Sequence, residues 1–165
     1  MSNKKIVFIN PPYERIAKGY DFVKHITNNS PSLGLLHLAA EVRLHGYAPK
    51  IIESDILNLS IEQVLAEIEK EQPAYVGITL FTVGVWNALT IAREIKKRFP
   101  KTVIIVGGPH ISSMGKETME RFREFDYAVD GEGEKILVEL LQALETGGNP
   151  FSVPGIIFRK GPFVH

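Results

Sequence analysis

Residues 74–109, AYVGITLFTVGVWNALTIAREIKKRFPKTVIIVGGP, decide the architecture. Ala74-Tyr-Val-Gly-Ile-Thr-Leu80 follows Pro73 and reads as a buried strand. Trp86 to Phe99 predicts a helix, because Ala88, Ala92, Ile95 and Phe99 recur at steps of four, three and four. Pro100 stops that helix. Thr102-Val-Ile-Ile-Val106 is the most β-branched run of the chain and reads as a second buried strand, ended by Gly107-Gly108-Pro109. Strand, helix and strand in this succession place the two strands parallel in one sheet.

The same alternation extends in both directions. Lys5-Ile-Val-Phe-Ile9 is a strand that stops at Asn10-Pro11-Pro12. A polar, irregular stretch then runs to about Asn29, long enough to suggest a functional loop. Ser30 or Ser32 caps a helix carrying Leu35, Leu38, Ala39 and Val42, widened by Leu36 and ended at Gly46. Lys50–Glu53 is a short strand. Ser60 and Gln63 form a capping box for a helix with Ile61, Val64, Leu65 and Ile68 on one side. Beyond the glycine pair, a helix is expected over about Lys116 to Arg123, a short strand over Asp126–Val129, and a helix over Glu134–Glu145. Five strands alternating with five helices predict an α/β, doubly wound, flavodoxin-like (Rossmann-like) parallel sheet with helices on both faces, in the order 2-1-3-4-5. Ile156–Phe158 and Pro162–His165 suggest a sixth strand and a hairpin. The expected division is a domain over 1–148, with 149–165 as an extra strand or the start of a linker.

Composition removes several classes of function. The chain has 165 residues, ordinary for one domain. Lys plus Arg and Asp plus Glu each number 19, so zero formal charge argues against a general nucleic-acid or anionic-membrane footprint. There is no cysteine, hence no disulfide, thiolate-bound zinc, iron–sulfur cluster or cysteine nucleophile from these residues. No apolar run approaches the ~20 residues of a membrane span, and Met1–Lys5 lacks the core of a signal peptide. A cytoplasmic protein is the expectation.

In a doubly wound fold a ligand sits at the carboxyl ends of the strands. Four loops lie there: Asn10-Pro11-Pro12, Thr79-Leu80-Phe81-Thr82, Gly107-Gly108-Pro109-His110 and Asp130-Gly131-Glu132-Gly133-Glu134. Prolines after the first strand lack the N–H donors of a phosphate-gripping loop. A G-x-G-x-x-G fingerprint and a G-x-S-x-G elbow are both missing, and Asn10 and Thr79 stand where a phosphate-accepting site needs carboxylates. Gly107 and Gly108 let a ligand approach the backbone unobstructed, though the pair also suits a tight turn. Gly131 and Gly133 flank Glu132 at a helix mouth, where N–H groups can meet a polar ligand or acids can simply favour the helix N-terminus. Thr79 and Thr82 could bond a ligand or cap the following helix. Asp130, Glu132 and Glu134 alternate like cation ligands, but no further carboxylate supports a metal site. His25 and His110 fall in loops that could approach each other.

Taken together in this order, the segments resemble one family. Ile9-Asn-Pro-Pro12, Ser32-Leu-Gly-Leu-Leu-His-Leu-Ala-Ala40 with His45-Gly46, Val76-Gly-Ile-Thr79 followed by Thr82, Val106-Gly-Gly-Pro-His110, and Asp126-Tyr-Ala-Val-Asp-Gly-Glu-Gly-Glu134 are similar to the N-terminal cobalamin-binding-like domain of cobalamin-dependent radical S-adenosylmethionine enzymes. The subgroup that includes the anaerobic cyclase of magnesium-protoporphyrin monomethyl ester shows the likeness well. The resemblance covers residues 4 to 146. It implies cobalamin as cofactor, held by Asn10, Pro11, Pro12, Thr79, Leu80, Phe81, Thr82, Gly107, Gly108, Pro109, His110, Gly131, Glu132 and Gly133. The nucleotide tail would pass between sheet and helices, where Gly77, Thr79, Gly107 and Gly108 leave room. Thr79 takes the place of a family serine and Phe81 that of a leucine, while the glycine pair matches outright.

Two departures shape the expectation. The D-x-H-x-x-G motif whose histidine ligates cobalt is missing, since Asp21 and His25 have the wrong spacing, so no protein imidazole is expected on the metal. The family's following barrel carries Cys-x-x-x-Cys-x-x-Cys for a 4Fe-4S cluster that works with S-adenosylmethionine. This chain has no cysteine and is expected to be non-catalytic by itself, partnered by a C-terminal radical S-adenosylmethionine domain of the same parent chain. Two other readings stand beside it: a cofactor-free domain that docks or shapes the parent's substrate pocket, and a stand-alone enzyme of flavodoxin-like fold.

Overall fold

A computed structural model describes residues 4–12 and 31–165. In chain order the elements are β1 (Lys5–Asn10), α1 (Leu33–Leu44), β2 (Ala48–Glu53), α2 (Ile61–Glu71), β3 (Tyr75–Thr79), α3 (Val85–Arg98), β4 (Val103–Gly107), α4 (Pro109–Arg121), β5 (Tyr127–Val129), α5 (Gly133–Thr146), β6 (Ile156–Lys160) and β7 (Phe163–Val164). The sheet runs β2-β1-β3-β4-β5-β6-β7. The first five strands are parallel in the expected order. β6 adds antiparallel to β5 and turns into β7, so the tail extends the sheet.

Alternation of side chains along each strand sorts the core into two layers. Val7, Ile9, Val76, Ile78, Ile104 and Val106 face α2, α3 and α4. Ile6, Phe8, Tyr75, Ile105 and Val129 face α1 and α5. Both faces of the central strands are covered, which explains their continuous apolar runs. Ser32 caps α1 by accepting from the Leu35 amide, and the Ser60–Gln63 capping box opens α2 as the sequence predicts.

The segment after β4 differs from expectation. Gly107-Gly108-Pro109-His110 was expected to be a loop, with its helix beginning near Lys116. Instead α4 starts at Pro109, directly after Gly108, and is kinked at Met114. Proline at a first helical position gives up no hydrogen bond, so here Gly-Pro begins a helix rather than marking a turn. Gly108 makes the change of direction at φ +100°. His110 therefore sits on a helix and not in a loop. His25 lies outside the described residues.

Candidate cofactor site

The face of the sheet toward α1 and α5 is stepped. One cross-strand row holds Phe8, Gly77 and Ile105; the next, nearer the carboxyl edge, holds Thr79 and Gly107. The Phe8 ring lies over Gly77, where a Cβ would meet ring carbon Cδ1 at 2.7 Å. The small residues Gly77, Thr79 and Gly107 leave space between the strand ends and the helices α1 and α5. The result is a cavity of about 290 Å³ between sheet and helices.

Of the residues expected at the site, Thr79, Phe81, Gly107, Gly108, Pro109 and Gly133 line this cavity. The others sit elsewhere. Leu80 turns its side chain into the opposite core layer. Its backbone nonetheless joins the rim: its N–H donates to the Gly107 carbonyl at 2.7 Å, and its carbonyl accepts from the His110 N–H at 3.0 Å. Gly131 and Glu132 are exposed at the mouth of α5, and Glu132 makes no capping bond through its side chain. Asn10 is buried at the end of β1, donating through Nδ2 to Glu53 at 3.0 Å, while its Oδ1 has no partner among the described residues. Pro11 is buried beside it, and the Pro12 carbonyl accepts from Asn87 Nδ2 on α3 at 2.6 Å.

His110 is buried in the first turn of α4, away from the cavity lining. Its Nδ1 lies 3.1 Å from the Thr82 hydroxyl and its Nε2 3.0 Å from the Thr118 hydroxyl. Hydroxyls both donate and accept, so a neutral ring is satisfied in either tautomer. Burial holds the imidazole below the ordinary histidine value, favouring that neutral form. Thr82 is thus occupied by His110. Neither it nor Thr79 caps α3, whose N-cap is Gly84 with no side-chain bond.

The contribution of α1 was not foreseen. Ser32, Gly34, Leu35 and Leu38 form one wall, and Leu137 of α5 faces them. At Gly34 an added Cβ would meet nothing within 4 Å. A glycine inside an otherwise good helix sequence was the available signal. Glu53 holds this wall in place: Oε1 accepts from the Ser32 amide at 2.8 Å and Oε2 from Asn10. Among the described residues no charged side chain lines the cavity, and the polar side chains of its lining are Ser32 and Thr79. Among the described residues no three His, Asp or Glu side chains gather as metal ligands.

An apolar slot at the switch point of a parallel sheet suits a flat organic cofactor better than a hydrolytic or metal centre. The family model of the B12 binding domain matches residues 21–141. The chain belongs to the B12-binding domain family. This B12-binding domain is 31% identical over 160 residues to an uncharacterized methyltransferase of Pyrococcus horikoshii, covering 97% of this chain and 34% of that protein. It is 29% identical over 147 residues to the anaerobic magnesium-protoporphyrin IX monomethyl ester cyclase of Rubrivivax gelatinosus, covering 87% of this chain and 25% of the cyclase. Its fold superimposes with a TM-score of 0.78 on the radical S-adenosylmethionine methyltransferase TsrM of Kitasatospora setae, solved with cobalamin and a [4Fe-4S] cluster, at 23% identity over 99% of this chain and 28% of that one. The chain thus spans about a third or less of these proteins.

Proposed function

We propose that this domain holds cobalamin for a larger radical S-adenosylmethionine protein and performs no chemistry with its own side chains. The cavity on the α1 and α5 face carries the reading. It is open at the carboxyl edge, floored by Gly77 and Gly107, and lined by apolar groups that fit a nucleotide base. Its volume is at the low end of small-ligand pockets, roughly 300–1,000 Å³, enough for a flat base and part of a sugar but not for a corrin. Gly108, Pro109 and Phe81 at the rim would hold the macrocycle outside the cavity, with Asn10, Pro11, Pro12, Leu80, Thr82 and His110 supporting the backbone behind them and Gly131, Glu132 and Gly133 bordering the site at α5.

A base held between sheet and helices would not be available to cobalt. The described histidines lie away from the cavity lining, and His110 already has both ring nitrogens bonded. No protein imidazole on cobalt is expected. Imidazole nitrogen splitting in the electron paramagnetic resonance spectrum of the cobalt(II) form would overturn that part.

When bound, cobalamin supplies a methyl carrier or assists radical chemistry. The chain's own residues bind it, orient it and shield its tail from water. The 4Fe-4S cluster and S-adenosylmethionine belong to a C-terminal domain of the parent protein, a reading supported by the cysteine-free sequence and by relatives several times longer. The cysteine-free sequence is in keeping with a cytoplasmic setting. No described helix is long and apolar enough to cross a membrane. Titration of the chain with hydroxocobalamin, followed by visible absorbance, should show a saturable shift of the corrin bands to shorter wavelength, as the base leaves cobalt and no imidazole replaces it. A flat titration at high micromolar protein would reject cobalamin binding.

A further inference from the structure

We propose that the cavity selects among cobamides by the base on their tail, accepting benzimidazole-type bases and discriminating against adenine-type ones. The inference rests on the cobalamin reading above and concerns the depth of the same cavity.

Among the described residues the two polar side chains of the lining stand at the mouth. Thr79 is the last residue of β3, and Ser32 precedes the first turn of α1, which runs antiparallel to the strands. They meet the sugar and phosphate of an entering tail. Below them the walls are Phe8, Leu35, Leu38, Ile105, Val129 and Leu137, with the Phe8 ring on the floor. None of these side chains offers a hydrogen bond. A sugar-bonded benzimidazole brings one remaining ring nitrogen into this space. A sugar-bonded adenine brings three ring nitrogens and an exocyclic amine. Each polar group buried without a partner carries its full desolvation penalty. The expected discrimination is at least about tenfold in affinity, the consequence of one additional unpaired polar group.

The test is equilibrium titration of the chain, read by visible absorbance, with three ligands: cobalamin, the adenine-tailed cobamide, and cobinamide, which has no nucleotide tail. Cobalamin should bind at least about tenfold more tightly than either of the others. Equal affinity for cobalamin and the adenine-tailed form would overturn the selectivity while leaving cobalamin binding intact. Cobinamide binding as tightly as cobalamin would overturn it too, by removing the tail from the cavity. Failure of all three to bind would instead reject the cobalamin reading itself. A variant guards the assignment of the cavity. Gly34→Leu places a side chain into open space from a helical position that favours it. It should reduce the affinity for cobalamin to that for cobinamide, and a retained tenfold advantage of cobalamin would defeat the proposal.

Discussion

Gly77 and Phe8 form a matched pair in which one residue's missing side chain is the other's berth. The Phe8 ring occupies the space above Gly77, so Gly77→Ala must push the ring toward the cavity or strain the strand. The variant should lose about 1–3 kcal/mol of stability in denaturant unfolding and bind cobalamin more weakly. His110 makes a different prediction. Its folded-state proton affinity lies below that of the unfolded chain, so the unfolded state takes up the proton first. Stability is therefore complete above about pH 6.5 and falls as the pH drops below that value. The pH dependence of unfolding, compared between the natural chain and His110→Gln, should show this component vanish in the variant. The resemblance to a cobalamin domain was legible from the order and spacing of five short segments, of which the glycine pair is one. The helical placement of His110 was not, because Gly-Gly-Pro satisfies the rules for a turn and for a helix start alike, and only the packing against Thr82 and Thr118 separates them.

At the scale of elements, the strands and helices were legible from periodicity and punctuation except for the first half of α4, and the parallel order followed from the crossover helices. What could not be read was which helix borders the ligand. Periodicity tells which face of α1 is buried, not that its first turn stands off from the sheet. That stand-off depends on a contact distant in sequence, Glu53 at the end of β2 bonding the Ser32 amide and Asn10. Glu53→Ala removes the acceptor and leaves both donors wanting. It should cost about 1.5–3 kcal/mol, the range for hydrogen bonds to a charged group. Because Ser32 and Leu35 are cavity walls, the same variant should also weaken cobalamin binding, measured by the absorbance titration. The tail was legible as a strand and hairpin but not as part of the sheet. Its antiparallel pairing with β5 uses Ile156 to Phe158, a run too short to reveal a partner by itself.

For the whole molecule, a ligand that binds only the folded chain adds to its stability by mass action. Cobalamin at about one hundred times its dissociation constant adds about 2.7 kcal/mol, which in a domain of this size raises the melting temperature by roughly 5–10 °C. Thermal unfolding with and without cobalamin checks this, and cobinamide at the same concentration should raise the midpoint less. An unchanged midpoint under saturating cobalamin would contradict binding to the native state.

The backbone of Leu80 is bonded on one side to Gly107 and on the other to His110, so main-chain hydrogen bonds tie together the ends of β3 and β4 and the start of α4. A rim already fixed has little freedom left to surrender. Calorimetry of cobalamin association should accordingly find its entropy governed by released solvent and by the cofactor's own flexible arms, with only a small share from this part of the polypeptide.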